Sequence, residues 1–204
     1  MYKYPVIVFE GIETSGKTTN INKVSSYLSK INRKFIKIRE PGGSIYSEII
    51  RKLILNKKSK FNFKTDLMLI MASRSENIDK VLKKNFGKKI ILIDRFIDST
   101  IAYQHYGMGI NENLINKLNN FILGNFKPTF TFTNIVNKKN MKIRLNKRNS
   151  LNKYDKFNYS FYTKVQKGFL KLSKKKKNYF IIDSNNNIEE NYQIIIKKIK
   201  RLIS

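Results

Sequence analysis

Gly11-Ile12-Glu13-Thr14-Ser15-Gly16-Lys17-Thr18 sets two glycines five positions apart and follows them with a lysine and a hydroxyl. Glycines so placed let the backbone curl until successive N–H groups converge on phosphate oxygens, and a following helix adds positive dipole charge there. Lys17 can reach β- and γ-phosphates, and the Thr18 hydroxyl can ligate Mg²⁺. The octet predicts a nucleoside triphosphate with magnesium, held by Gly11, Ile12, Glu13, Thr14, Ser15, Gly16, Lys17 and Thr18.

Other residues extend the same chemistry. In "IILIDR" Asp94 ends a wholly apolar run, where a parallel sheet opens its ligand crevice. It can hold the metal directly or through water, or cap the next segment. Arg95 adds a fork of donors suited to phosphate. "IREPGG" (38–43) brings Arg39 and Glu40 to the end of another run. Arg74 lies four positions after Ile70 and four before Ile78, inside an apolar helical stripe. An unpaired buried charge costs about 3–5 kcal/mol, so Arg74 requires a base edge, a phosphate or a core carboxylate. Ser99, Thr100, Tyr103 and Gln104 offer donors and acceptors for a base or sugar. Histidine occurs once, at His105, and reads as a loop residue.

Five apolar runs must carry these groups: 4–10, 34–40, 88–95, 129–135 and 178–183. Several are apolar throughout, as in strands buried on both faces. Helical periodicity falls between them, at about 17–32, 44–56, 65–85, 111–124, 138–148 and 158–176, with an amphipathic segment at 188–203. Strand–helix alternation means βαβ units and a parallel sheet. The expectation is a single α/β domain over 1–204, with the polar stretch 147–158 as a loop or mobile lid.

Of the 204 residues 41% are apolar, sufficient for a sizeable core, and the formal charge is +28. Such charge fits a nucleic-acid binder. Here lysine is spread through every segment, alongside abundant Asn, Ile, Phe and Tyr, which describes a solvated surface drawn from a biased alphabet. No run approaches the roughly 18–20 residues of a membrane span. Cysteine is absent, which excludes disulfides and thiolate metal sites. We expect a soluble cytoplasmic protein with neither membrane nor specific nucleic-acid partners.

The phosphate loop, "REPGG", "ASR" in the third helix and "DR…S…AYQ" stand in the order and spacing of the thymidylate kinases, and the chain resembles that family over nearly its whole length. The resemblance implies a P-loop NTPase fold, a homodimer, and transfer of the ATP γ-phosphoryl group to dTMP in dTTP synthesis. It implies that Arg39 and Arg95 grip the dTMP phosphate, with Lys17 and Arg95 nearest the transferred group. Glu13 would face the sugar 3′-hydroxyl or the metal, and Thr18 and Asp94 would bind Mg²⁺. Arg74 would bond the thymine edge, Tyr103 would crowd the sugar 2′ position, and Ser99, Thr100 and Gln104 would contact the base. Ile70 stands where the family has a stacking phenylalanine, and Phe96 replaces a tyrosine. Thr14 resembles the subgroup whose extra cation comes from a lid, here about 144–157, with Arg144, Lys147, Arg148 and Lys153 as candidates and Arg148 foremost. Kinases of other nucleoside monophosphates or deoxynucleosides, or a nucleic-acid-associated ATPase, are the alternatives.

Overall fold

The computed structural model describes residues 2–148, 151–174 and 176–203. Residues 149–150 of the expected lid, and Lys175 in the lysine run, lie outside the described residues. Strands β1 (Val6–Gly11), β2 (Phe35–Arg39), β3 (Ile90–Asp94), β4 (Phe130–Ile135) and β5 (Tyr179–Asp183) form one sheet in the order β2-β3-β1-β4-β5. Every pairing is parallel. All five expected strands form, each trimmed by one or two residues at its start or end.

The apolar runs are explained by burial on both faces. Ile7, Phe9, Leu92 and Phe132 pack beneath α1 (Lys17–Lys30) and α9 (Ile188–Ile203), against Val24, Leu28, Ile195 and Ile199. Their strand neighbours Val6, Val8, Ile91 and Ile93 face the other way, onto Ile78, Leu82, Phe96 and Leu123. At about 1.5–3 kcal/mol for each large apolar side chain removed from water, these two layers are what hold the sheet between its helices.

Helix α2 (Ile45–Leu55) starts at Ser44, whose hydroxyl accepts from the Ser47 N–H. Helix α3 (Phe63–Asn77) is capped in the same way by Asn62, two residues earlier than periodicity predicts. It runs on through a π-helical stretch (Ile78–Leu82) into a last turn, α4 (Lys83–Asn85). Helices α6 (Glu112–Leu123), α7 (Lys138–Asn146) and α8 (Tyr159–Lys174) match expectation to within two residues. Two elements do not. "DRFIDSTIAYQ" forms α5 (Ile97–Thr100) and a further π-helical run, Ile101–Gly107, where no helix is expected. A 3₁₀ turn, Lys153–Lys156, closed by an Asn152–Asp155 capping box, interrupts the segment expected to be loop.

The register fixes where the polar ends meet. Arg39 lies opposite Asp94 across β2 and β3, Phe9 lies opposite Asp94 on the other side, and Gly11 lies opposite Asn134. The octet, Asp94–Arg95 and "REPGG" therefore share one carboxyl edge of the sheet.

Candidate active site

The phosphate loop is closed by backbone shape. Gly11 (φ 138°) and Gly16 (φ 86°) occupy the left-handed half of backbone space. A Cβ on Gly11 would also run into the Asn134 carbonyl on β4. Gly16 caps α1 with no side-chain bond, leaving the first N–H groups of that helix pointing into the loop. Lys17 folds back over the loop, donating to the carbonyls of Gly11 (3.1 Å) and Ile12 (2.8 Å) and to the Ser15 hydroxyl (3.4 Å). Burial, then the neighbouring Arg95, pushes its ammonium down to about 8. Its charge is thus held at a cost in this loop, a cost that a polyphosphate would relieve.

Thr18 Oγ1 donates to Asp94 Oδ2 at 3.1 Å. Asp94 Oδ1 is buried and has no hydrogen-bond partner among the described residues. A hydroxyl beside an orphaned carboxylate oxygen is an oxygen donor set that suits Mg²⁺, which takes few protein ligands and completes its shell with phosphate and water.

Arg95 follows at once, with φ 66°, a left-handed conformation uncommon for a bulky residue. Its Nη1 donates to the Gly11 carbonyl (2.8 Å) and the Ser99 hydroxyl (3.4 Å), and Nη2 to Glu13 Oε1 (2.7 Å). Its guanidinium also lies over the Tyr103 ring, 5.2 Å from the centroid. Burial works against the charge of Arg95, yet Glu13 beside it raises the pKa above the ordinary arginine value. Burial likewise opposes ionised Glu13, and Arg95, Lys17 and Arg148 overcome it, leaving that carboxyl below its usual range. Glu13 thus ties the loop to Arg95 on one side and to Arg148 Nη2 (3.4 Å) on the other.

A cavity of about 590 Å³ opens over these groups. That lies within the roughly 300–1,000 Å³ range of ligand pockets. Its wall includes every expected substrate residue: Glu13, Arg39, Ile70, Arg74, Arg95, Ser99, Thr100, Tyr103 and Gln104. Arg39 is more than half exposed, and among the described residues its side chain bonds only Glu48, at 3.3 Å, so it can turn inward. Ser99, Thr100 and Gln104 are buried, and the Tyr103 hydroxyl is buried without a hydrogen-bond partner among the described residues.

Arg74 and three of the lid candidates already have protein partners. Arg74 does not wait for a ligand to satisfy its charge. Its Nε donates to Glu40 (2.7 Å), Nη1 to Asn119 (2.7 Å) and Nη2 to the Phe96 carbonyl (3.0 Å), with 2% of the side chain exposed. The core carboxylate is its partner, and a base edge can use only the N–H groups left over. Among the lid candidates, Lys153 instead bonds buried Asp66 at 2.7 and 2.8 Å, and Lys147 is exposed. Arg148, anchored to Asp155 at 2.6 Å, and Arg144, bonded to the carbonyls of Ser184 (2.6 Å) and Thr14 (3.3 Å), line the cavity.

The family model described as Thymidylate kinase matches residues 9–195. The chain belongs to the thymidylate kinase family. It is 38% identical over 184 residues to the thymidylate kinase of Thermosipho africanus, covering 90% of this chain and 91% of that protein. It is 37% identical over 198 residues to that of Sulfurihydrogenibium sp., with 96% of each covered. Its fold is similar to the crystal structure of thymidylate kinase from Ehrlichia chaffeensis, with TM-score 0.78 and 33% identity over 97% of this chain and 98% of that one. The P-loop NTPase fold that the resemblance implies is therefore that of the family.

Arg51 is a wall residue that the sequence did not single out. It donates to the Pro41 carbonyl at 2.7 Å, and burial together with nearby Arg39 lowers its pKa. It lies on α2, outside any phosphate motif, and only the return of that helix to the sheet edge brings it in. Glu10 was equally silent in sequence, where it reads merely as the last residue of the first strand.

Proposed function

We propose that this chain transfers the γ-phosphoryl group of ATP to dTMP, yielding dTDP and ADP. The observation that carries the reading is the sharing of one cavity wall by a phosphate loop and a second cationic and hydroxyl-bearing wall. A phosphate oxygen of dTMP attacks the γ-phosphorus, and the bond from that phosphorus to the β,γ-bridging oxygen breaks. With a second phosphate pKa near ~6 the acceptor is largely deprotonated at neutral pH, so no general base is required. The protein must instead neutralise two polyanions and align them.

Lys17 leaves its carbonyl partners for the β- and γ-phosphates. Arg39 and Arg95 hold the acceptor phosphate, and Arg148, linked to the loop through Glu13, adds charge at the transferred group. The backbone from Gly11 to Thr18 cradles ATP, and Glu13 faces the sugar 3′-hydroxyl. Thr18 and Asp94 would hold Mg²⁺, which would supply charge neutralisation for the triphosphate. Tyr103 excludes a 2′-hydroxyl, while Ser99, Thr100, Gln104 and Arg74 read the base. The segment 144–157 acts as the lid that keeps water, a competing acceptor, from the site.

A coupled assay of ADP release tests the reading. We expect dTMP to exceed dUMP and UMP clearly and a no-acceptor control by far more; equal rates with dUMP would favour a broader monophosphate kinase. Ile70 sets a second outcome. It is an aliphatic wall beside Tyr103 in one apolar cluster. Ile70→Phe should lower the KM for dTMP by about 2- to 10-fold, the equivalent of ~0.5–1.5 kcal/mol for an added aromatic contact. An unchanged or raised KM would show that the base does not lie on this residue.

We further propose a homodimer acting in the cytoplasm. Ile45, Tyr46, Ile49 and Leu53 project from one side of α2 and are 81, 65, 51 and 47% exposed. An apolar stripe of that extent supports an interface with a second copy, which sedimentation of an Ile49→Glu variant would check. Among the described residues no helix is long and apolar enough to cross a membrane.

A further inference from the structure

We propose that Glu10 is a positioning residue, which holds Arg95 against the acceptor phosphate by anchoring Ser99 and capping α5 from the neighbouring strand. The inference rests on the proposed transfer to dTMP. Helix α5 begins after Phe96, which has no side-chain acceptor to offer its first N–H groups. Glu10 Oε1 accepts from the backbone N–H of Phe96 (2.9 Å) and of Ser99 (3.2 Å), and Oε2 accepts from the Ser99 hydroxyl (2.5 Å). The same hydroxyl oxygen receives Arg95 Nη1. One carboxylate at the end of β1 therefore fixes both ends of the turn that aims Arg95.

That turn needs fixing. Arg95 is left-handed, at φ 66°. Such conformations persist only where their surroundings over-determine them. The rest of β1 shows what this position would hold on packing grounds alone, since Val6, Ile7, Val8 and Phe9 are all apolar and buried. Glu10 is 1% exposed, and no cation contacts it among the described residues. The groups facing it are Asp98 on α5, Arg95, Lys17 on α1 and Tyr179 on β5. Burial, then Asp98, pushes its carboxyl up to about 7.

Three variants and one measurement on the unaltered protein test this. Glu10→Ala should lower kcat/KM for dTMP by about 30- to 100-fold, in line with the loss of oriented groups at a reacting phosphate. The KM for ATP should stay within about 2-fold, because the phosphate loop keeps its own backbone. Glu10→Gln, whose carbonyl still accepts both N–H groups, should recover activity to within about 5-fold. Glu10→Asp, charged but one methylene short, should behave as the alanine variant, and it decides the matter if the alanine variant does not fold. A purely structural role would lower Tm while leaving the folded enzyme's kcat/KM intact. A folded Glu10→Ala or Glu10→Asp within about 3-fold of the parent, or an equal rise in the KM for ATP, would overturn the proposal. In the unaltered protein the Phe96 and Ser99 amides should exchange with solvent as slowly as those of β3. Free-peptide rates there would overturn it whatever the variants do. Absence of dTMP turnover by the unaltered protein would instead sink the proposed function, while amide exchange would still report the cap.

Discussion

Lys17→Ala is expected to lower kcat by roughly 10³-fold and to leave the fold intact. The magnitude follows from removing one preorganised cation aimed at a transferring phosphoryl group in a water-poor site, where single donors contribute about 10²–10³ and arginine fingers up to ~10⁵. Intactness follows from the lysine's surroundings. Lys17 is 6% exposed, and its ammonium is pushed down to about 8 by burial and by Arg95, so holding the charge in the folded state is costly below that pH. Because the folded pKa is lowered, this cost is present at neutral pH and fades as pH rises through about 8. Truncation removes that cost along with three hydrogen bonds, and Tm should move by only a few degrees. Steady-state rates with saturating ATP and dTMP, together with a melting curve, provide the check. Near-normal turnover would refute the assignment of the phosphate loop.

Arg95→Ala should cost about 10³-fold in kcat/KM for dTMP, with far less effect on the KM for ATP. Arg95 has three protein partners arranged as a fork, namely Gly11, Ser99 and Glu13. Lysine cannot reproduce that geometry from a single nitrogen, so Arg95→Lys should recover no more than about 10-fold. A glycine variant separates shape from chemistry. At φ 66° a side chain costs about 1 kcal/mol relative to glycine. Arg95→Gly should therefore be more stable than Arg95→Ala and just as inactive. If the lysine variant turned over at the parental rate, charge alone would suffice and the fork would be incidental.

Much of this was legible in the chain because the governing signals are local. Val8 to Thr18 shows a buried strand, a curled loop and a helix start within eleven residues, and the structure follows it closely. Asp94 and Arg39 could be set on one edge because parallel strands end together. What stayed hidden depends on partners far along the chain. Arg74 was recognisably inward from its stripe, but its partner Glu40 is 34 positions away. The helix at Ile97–Gly107 escaped notice because Ser99 and Thr100 are indifferent helix formers and its cap, Glu10, comes from another strand. Lys153 looked like any lid cation until α3 supplied Asp66. The thymidylate kinase resemblance, by contrast, rested on contiguous motifs and is shown by the relatives.

The position of β1 has a further consequence, for biosynthesis. It lies in the middle of the sheet, and its neighbours Ile91 and Phe130 are made some 85 and 123 residues after Val6 and Ile7. An emerging polypeptide therefore carries this fully buried apolar strand without its second neighbour until 123 further residues have been made. Long-range parallel closure of this kind is slow and exposed to aggregation. The phosphate loop, which abuts the carbonyl of Asn134, cannot be complete before β4 has been made.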